Sequence, residues 1–248
     1  MSDEQYFAHS YLNASTLKMF AGPESKFSKR QALHKLQTPR EPSPAMSLGS
    51  LFHQIMEVGY LDVEPCPYSD FRKKEAREWR DRQTGPIYTQ ADIDTAKMMA
   101  ESVKLTAPQI WDMARSSFAI REREVYNDKK GLKCKEDLFL DGEIWDWKSC
   151  RAITPYDIRR ACDFFAYDLQ CAHYLNTDED AESFNFVFVQ SEAPFEVVIV
   201  PGAPILERGQ QKWDTAYRRY NERMDGVLEA VVVDPSWEQK ETFEEVEL

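Results

Sequence analysis

Two acidic residues and one lysine stand close together in the middle of the chain. The acids are Asp137 and Asp146, and Lys148 follows the second acid by two positions. Carboxylate oxygens are the ligands that Mg²⁺ takes in proteins, usually one or two together with waters and substrate phosphates. A lysine beside such an ion can stabilise developing negative charge or help to orient a water. These residue types indicate metal-assisted hydrolysis, provided that the fold brings them together.

The stretch 133–148 predicts a β-hairpin that would bring these three side chains together. Asp141-Gly142 separates two β-prone runs, as in a type I′ turn, which needs positive φ at both central positions. A turn there places Asp137 opposite Asp146, with Lys148 on the same face. A slip of one residue would separate the acids, and the alternative is an exposed hairpin with solvated charges. The same turn pairs Leu140 with Glu143, Phe139 with Ile144 and Leu138 with Trp145.

A helix predicted at about 47–60 carries a histidine beside its apolar face. Gly49, His53 and Glu57 are spaced i, i+4, i+8, so they share one stripe. Gly49 would allow another part of the chain to approach closely. A histidine in this position is either a hydrogen-bonded core residue or a member of a site.

A strand predicted at 118–126 carries two further acids, Glu122 and Glu124, on one face. If this strand neighbours the hairpin, one of them could extend the acidic site; otherwise it is an edge strand with exposed charges. A helix from Tyr156 to Leu175 follows the hairpin and places Gln170 and Tyr174 at i, i+4. Two more strands are predicted at 184–190 and 195–200, before a long helix at about 204–226.

Length and composition predict a globular protein of one large domain or two small ones. The 248 residues are 42% hydrophobic and 30% charged, which allows a sizeable core. No apolar run is long enough to span a membrane. Five cysteines without a Cys-x-x-Cys pair, and no signal peptide, favour reduced thiols in the cytoplasm.

The charge distribution separates a body from a tail. The net charge of −12 argues against broad nonspecific binding of nucleic acid. Residues 234–248 contain six acids and one lysine, an acidic tail of the kind that is usually solvated. The most basic stretch, 71–82, suits either phosphate contact and base stacking or a solvated helix. We predict a single domain over 1–233, mainly helical over 1–117 and sheet-containing over 118–233, followed by the tail.

The order of these motifs resembles the PD-(D/E)xK nuclease superfamily. It is most similar to the exodeoxyribonuclease VIII (RecE-type) branch, a relative of phage-type recombination exonucleases. Five stretches that together span nearly the whole chain carry the resemblance: the helix start Asn13-Ala-Ser-Thr-Leu, the Gly49-to-His53 helix, the strands Leu132–Asp137 and Asp146–Lys148, and the Gln170-x-x-x-Tyr174 helix.

The resemblance implies an α/β fold with a restriction-endonuclease-like core, a mixed central β-sheet flanked by helices, and a helical N-terminal region. It implies that Lys148 is catalytic and that Mg²⁺, for which Mn²⁺ would substitute, is bound by Asp137, Asp146 and His53. Glu122 or Glu124 would complete the metal site, and the choice between them stays open. Gln170 and Tyr174 would position the site or the substrate.

The resemblance also implies a function. This is exonuclease action on the ends of linear double-stranded DNA, 5′-to-3′, in phage-type homologous recombination. It would involve a ring-like homo-oligomer and a single-strand-annealing partner. The alternatives are a Cas4-like DNA end-processing nuclease, against which the absence of a four-cysteine cluster counts, and a non-catalytic acidic DNA mimic or inhibitor on the same fold.

Overall fold

The computed structural model describes residues 3–21, 29–37, 44–68, 70–83 and 85–222. Within these ranges, seven helices precede the first strand: α1 (Asp3–Ala8), α2 (Ala14–Lys18), α3 (Lys29–Gln37), α4 (Pro44–Val58), α5 (Lys74–Arg80), α6 (Gln90–Thr106) and α7 (Pro108–Arg115). The elements that follow are β1 (Ile120–Asn127), β2 (Leu132–Leu140), β3 (Glu143–Cys150), α8 (Pro155–Phe165), α9 (Tyr167–Thr177), β4 (Ser183–Gln190), β5 (Val197–Pro201) and α10 (Ala203–Asn221). The predicted acidic tail and the end of the predicted 1–233 domain lie outside the described residues.

The strands form one mixed sheet in the order β1-β2-β3-β4-β5. β1, β2 and β3 are antiparallel neighbours, β3 and β4 run parallel, and β5 returns antiparallel to β4. The parallel pair needs a long crossover, and α8 and α9 supply it. The five strands predicted at 118–126, in the hairpin (two strands), at 184–190 and at 195–200 are therefore confirmed, with small shifts at their ends.

The predicted hairpin turn is confirmed. Asp141 and Gly142 both have positive φ, 50° and 82°, as a two-residue turn of this hand requires. Pairing follows the predicted register from Leu140 with Glu143 to Leu138 with Trp145. Backbone pairing between β2 and β3 then ends, although β2 continues to pair with β1 as far back as Leu132.

Other groups occupy the side of β2 that β3 leaves. The N–H of Lys133 donates to the carbonyl of Leu12 at 2.9 Å. The carbonyl of Lys133 accepts from His173 at 2.9 Å, and that of Lys135 accepts from the Tyr174 hydroxyl at 2.9 Å. Because a buried backbone group without a partner is costly, these contacts stabilise the divergence of the two strands. The divergence is where the candidate site lies.

Helices cover both faces of the sheet. α4, α6 and α7 pack on one face against Leu138, Trp147 and Val187. On the other face, side chains of α8 and α9 pack against Ile144 and the phenylalanines of β4. α2 and α10 pack on α9. No helix within the described ranges is long and apolar enough to span a membrane.

The prediction of one helix from Tyr156 to Leu175 is wrong in one respect. Ala166 adopts a left-handed conformation, with φ 50° and ψ 53°, and divides the segment into α8 and α9. A left-handed alanine costs about 1–2 kcal/mol, and no glycine or proline marks the break in the sequence. The predicted start of the N-terminal helix is confirmed, since the Asn13 side chain accepts from the N–H of Thr16 at 2.9 Å.

Candidate active site

An interruption of the sheet places acidic residues of two adjacent strands opposite each other. On β1 and β2, Arg121 pairs with Leu138 and Arg123 pairs with Glu136. Glu122 and Asp137 lie between these pairs, opposite each other in register but without backbone pairing. Glu122 has φ of 50°, a strained conformation for a residue with a side chain. This strain breaks the regular alternation of β1 at the residue that faces Asp137.

The main chain of Trp147 is bound by two side chains of the site. Its N–H donates to Oδ2 of Asp137 at 2.8 Å, and its carbonyl lies 3.0 Å from Nε2 of His53. In an antiparallel ladder both groups of such a residue would bond to the neighbouring strand. The side chains of Asp137 and His53 therefore take the place of the main-chain groups of β2 that would otherwise bond to Trp147. Through His53, α4 is anchored to β3 beside the carboxylates.

This contact orients the His53 ring. Because a carbonyl oxygen only accepts, Nε2 carries a hydrogen, and Nδ1 faces Oδ1 of Asp137 at 3.5 Å. Burial lowers the pKa of His53, but the Asp137 carboxylate outweighs that effect and raises the pKa above its ordinary value. Burial likewise opposes ionisation of Asp137, yet His53, Lys148 and the Trp147 N–H hold the pKa of Asp137 below its usual range.

Three potential metal ligands converge at this point: His53, Glu122 and Asp137. One ligand atom from each lies within 4.8 Å of the other two, and no other trio of His, Cys, Asp or Glu in the described ranges is as close. The two carboxylates suit a divalent ion such as Mg²⁺ or Mn²⁺, and the imidazole is a nitrogen donor of the kind that suits transition metals. Burial and the Asp137 carboxylate raise the pKa of Glu122, while Lys135, 2.7 Å away, opposes them. The donor set fits the predicted ion.

The two acids that the sequence could not distinguish have different surroundings. Glu122 belongs to the converging trio. Glu124 instead accepts a hydrogen bond from the hydroxyl of Tyr126 at 3.1 Å. The geometry therefore favours Glu122 as the acid of β1 in the site.

Asp146 adjoins the trio and makes other contacts. It is almost fully buried; its Oδ1 accepts from Nε2 of Gln170 at 2.6 Å and its Oδ2 contacts Nζ of Lys148. Burial and the Asp137 carboxylate raise the pKa of Asp146, and Lys148 acts in the opposite direction. Burial lowers the pKa of Lys148, but Asp146 and Asp137 outweigh it and raise that pKa, so Lys148 is a cation. In this arrangement Asp146 holds the lysine.

A second lysine, Lys18, completes a chain of polar contacts and was missed by reasoning from the sequence. Its Nζ donates to Oε1 of Gln170 at 2.9 Å, so Gln170 connects Lys18 with Asp146. The ammonium groups of Lys18 and Lys148 each lie 5.2 Å from the centroid of the Tyr167 ring. Burial, and to a smaller extent Lys148, lower the pKa of Lys18 to about 7. The capped helix start at Asn13 was the available signal, since that helix ends with Lys18.

The remaining predicted residues have structural partners. Tyr174 donates to the carbonyl of Lys135 at 2.9 Å, so it holds β2, and Gln170 holds Asp146. The expected close approach at Gly49 is confirmed, since a Cβ there would lie 3.3 Å from Oγ of Ser149. In the basic stretch 71–82, two bases pair within the stretch: Lys74 with Glu78 at 3.6 Å and Arg80 with Asp81 at 2.8 Å.

Comparisons with known proteins support the fold. No protein-family model matches the chain, and no curated protein matches it. Among solved structures, the crystal structure of the "Putative exonuclease" from Eubacterium rectale is similar, with a TM-score of 0.64 and 18% identity. The match covers 98% of this chain and 99% of the other. A second structure, of a protein designated SSO0001, has a TM-score of only 0.25 at 14% identity, over 67% and 85% of the two chains.

The class of fold follows from the sheet and this likeness. A mixed five-stranded sheet flanked by helices, shared with the E. rectale protein, is an α/β fold consistent with a restriction-endonuclease-like core. The predicted fold class is therefore confirmed.

Proposed function

We propose that this protein is a Mg²⁺-dependent deoxyribonuclease that hydrolyses phosphodiester bonds. The observation that carries the proposal is the convergence of His53, Glu122 and Asp137 next to the Asp146–Lys148 pair. A metal-ligand set and a buried cation side by side are suited to hydrolysis of a phosphate diester, because they activate a water and stabilise negative charge. The fold shared with a protein named as an exonuclease supports the same reading.

Each residue has a defined part in this proposal. His53, Glu122 and Asp137 would hold the ion, whereas Asp146 is not among the ligand atoms that converge within 4.8 Å and would act through Lys148. Mg²⁺, when bound, lowers the pKa of a coordinated water and neutralises phosphoryl charge. Lys148, a cation held by Asp146, would stabilise the negative charge that develops on the phosphoryl oxygens. Gln170 fixes the Asp146 carboxylate that orients the lysine.

The finer parts of the proposal come from the motif order. The Asp137…Asp146-x-Lys148 strands, the Gln170-x-x-x-Tyr174 helix and the Gly49-to-His53 helix resemble the RecE-type branch. On that basis the substrate is the end of linear double-stranded DNA, degraded 5′-to-3′ in phage-type recombination. A ring-like homo-oligomer and a single-strand-annealing partner belong to the same proposal. Duplexes labelled at the 5′ or the 3′ end test the polarity, and light scattering tests the oligomer.

The direct test is hydrolysis of DNA by purified protein. Linear duplex DNA is incubated with Mg²⁺, with Mn²⁺ or with EDTA, using wild type, Lys148→Ala, Asp146→Ala and Lys104→Ala. Lys104 is an exposed lysine of α6 whose ion pair, among the residues that the structure describes, is with Glu101 of its own helix, so it is the matched control. We expect metal-dependent degradation by wild type and the control, and at least a hundredfold loss in both site variants. Activity that survives Lys148→Ala would contradict the site assignment.

The alternative of a non-catalytic acidic protein makes the opposite prediction in the same experiment. It predicts no degradation with either metal and no binding of Mn²⁺ by calorimetry. An absorbance spectrum of fresh protein tests the Cas4-like alternative, in which an iron–sulfur cluster would absorb in the visible range. Within the described ranges, the five cysteines do not contribute to any group of three metal ligands.

A further inference from the structure

An exposed row of aromatic side chains leads from the surface of α8 to the candidate active site. Tyr156, Arg160 and Phe164 are spaced i, i+4, i+8 on α8, so they share one stripe of the helix. The Arg160 guanidinium lies 5.6 Å from the centroid of the Tyr156 ring. Phe165 ends α8 beside Phe164, with ring centroids 4.9 Å apart. We call Tyr156, Phe164 and Phe165 the aromatic ridge.

The ridge continues without a gap to the lysines of the site. The Phe165 ring stacks on the Tyr167 ring at 5.5 Å, with 27° between their planes. The Tyr167 ring in turn lies 5.2 Å from both Lys18 Nζ and Lys148 Nζ. The left-handed turn at Ala166 makes this path possible, because it separates α8 from α9 between the two stacked rings.

The ridge is unusually exposed for its composition. Tyr156 is 67% exposed, Phe164 61% and Phe165 51%. Of the five aromatic side chains that are this open in the described ranges, three belong to the ridge; the other two are Tyr60 and Phe118. Apolar side chains that cluster on the surface mark an interaction site more often than single ones do.

The charges around the ridge match a polyanion. The acids of α8 are engaged within the protein, since Asp157 caps the helix with Thr154 and Asp163 pairs with Arg208 at 2.7 Å. Arg159 and Arg160 are exposed on the same helix. Exposed aromatics interleaved with arginines are the combination that proteins use for single-stranded nucleic acid, in which bases stack and phosphates contact cations.

We propose that the aromatic ridge binds one strand of DNA by stacking its unpaired bases, next to the strand position whose phosphate reaches Lys148. The proposal rests on the proposed function and deepens it, because it makes the substrate at this point an unpaired strand. Phe165 and Tyr167 would hold the nucleotides nearest the site, and Phe164 and Tyr156 those further out. Arg160 would contact the phosphates between them.

The test is binding of a fluorescein-labelled twelve-residue oligothymidylate, measured by anisotropy in EDTA so that no hydrolysis takes place. The matched ligand is an oligonucleotide of equal length made of abasic residues, which has the phosphates and lacks the bases. The variant Phe164→Leu/Phe165→Leu keeps the apolar bulk and removes the rings. The control is Phe118→Leu, which changes a phenylalanine that is 82% exposed in the turn before β1.

We expect wild type to bind the thymidine strand at least tenfold more tightly than the abasic one. The double variant loses that preference, by a tenfold or greater drop for the thymidine strand alone, and Phe118→Leu retains it. Each of three results would overturn the proposal: no preference in wild type, unchanged binding of thymidine by the double variant, or an equal loss with both ligands. A change of oligomeric state in the double variant, seen by light scattering, would assign the ridge to a second copy of the chain instead.

Failure of this proposal is distinguishable from failure of the proposed function. A base preference that depends on the ridge, in a protein that degrades no DNA with Mg²⁺ or Mn²⁺, would leave the ridge as a single-strand binding surface and remove the nuclease. Metal-dependent degradation of DNA by wild type, together with unchanged binding of the thymidine strand by the double variant, would keep the nuclease and remove the ridge as a binding surface.

Discussion

Asp137 on β2 and His53 on α4 bind the N–H and the C=O of the same residue, Trp147. Asp137 accepts from the Trp147 N–H at 2.8 Å, and His53 lies 3.0 Å from the Trp147 carbonyl. The two side chains thereby occupy the gap that opens where β2 and β3 stop pairing. The break in the sheet and the candidate metal site are consequently the same feature.

Substitution of Asp137 should separate its structural part from its chemical part. Asp137→Asn keeps an oxygen that can accept the Trp147 N–H, but it removes the charge, so we expect near wild-type stability and at least a hundredfold loss of nuclease activity. Asp137→Ala also leaves that N–H unpaired, which costs about 1–3 kcal/mol more. Urea unfolding and a nuclease assay measure the two effects. An active Asn variant would contradict the role of Asp137 as a ligand.

Lys18 should matter to activity although it is not one of the site residues predicted from the sequence. Its ammonium holds Oε1 of Gln170 and adds positive charge beside Lys148. We expect Lys18→Met to lower kcat/KM by about ten- to a hundredfold, the range for a residue that holds a site residue rather than the reacting group, and Lys18→Arg to restore part of it. The measurement is a steady-state nuclease assay with Lys104→Met as control. Equal activity of Lys18→Met and the control would remove Lys18 from the site.

His173 should make the fold sensitive to acid. Its Nε2 donates to the Lys133 carbonyl and its Nδ1 accepts from Trp213 at 3.1 Å, so only the neutral ring satisfies both partners. Burial lowers the pKa of His173 to about 4, whereas in the unfolded chain it is about 6.5. The unfolded state therefore binds the proton first, and stability is lost as the pH falls from 6.5 towards 4. Protonation of His173 lowers the free energy of unfolding by about 3 kcal/mol over this range.

Urea unfolding of wild type and His173→Gln between pH 7 and pH 4.5 tests this linkage. The other titrating groups are common to both proteins, so the difference between the two curves reports on His173. We expect that difference to shrink as the pH falls. Parallel curves would show that His173 does not titrate in this range.

Gly209 should tolerate no side chain, because α9 and α10 touch there. A Cβ at Gly209 would lie 2.1 Å from the carbonyl oxygen of Asp168. Helix propensity alone would make Gly209→Ala stabilising by about 1 kcal/mol, but the overlap with main chain outweighs it, and we expect destabilisation of about 3 kcal/mol. Gly85→Ala is the control, since a Cβ there meets nothing within 4 Å. A urea midpoint of Gly209→Ala above that of Gly85→Ala would contradict the close contact between α9 and α10.

The parts of the fold that depend on local signals were predictable from the sequence. Asp141-Gly142 determined the hairpin turn and the register of the three pairs next to it, and Asn13 determined a helix start, because each acts on neighbouring backbone groups. The predicted pairing of Asp137 with Asp146 is not made, because the two strands diverge before it. The break at Ala166 was not predictable, since alanine favours helix and its left-handed conformation depends on packing around it. The Lys18–Gln170 contact joins residues 152 positions apart, which no spacing rule reaches.

The site was predictable in its residue types but not in its assembly. Strand alternation places Glu122 and Glu124 on one face, whereas in the structure Glu122 has a left-handed φ and joins the trio and Glu124 accepts from Tyr126. Asp137 and Asp146 were expected to act as equivalent ligands. In the structure, Asp146 contacts Lys148 and Gln170 instead. Asp137 contacts His53 and the main chain of Trp147. That division follows from the divergence of β2 and β3, which has no local signal.

Binding of Mn²⁺ by a matched pair of variants tests the metal site most directly. Glu122→Gln and Glu124→Gln each remove one carboxylate from β1, two residues apart, and calorimetric titration with Mn²⁺ requires no DNA. We predict that wild type and Glu124→Gln bind the ion with the same affinity, and that Glu122→Gln binds it at least tenfold more weakly. Undiminished binding by Glu122→Gln, or a loss in Glu124→Gln alone, would contradict a metal site formed by His53, Glu122 and Asp137.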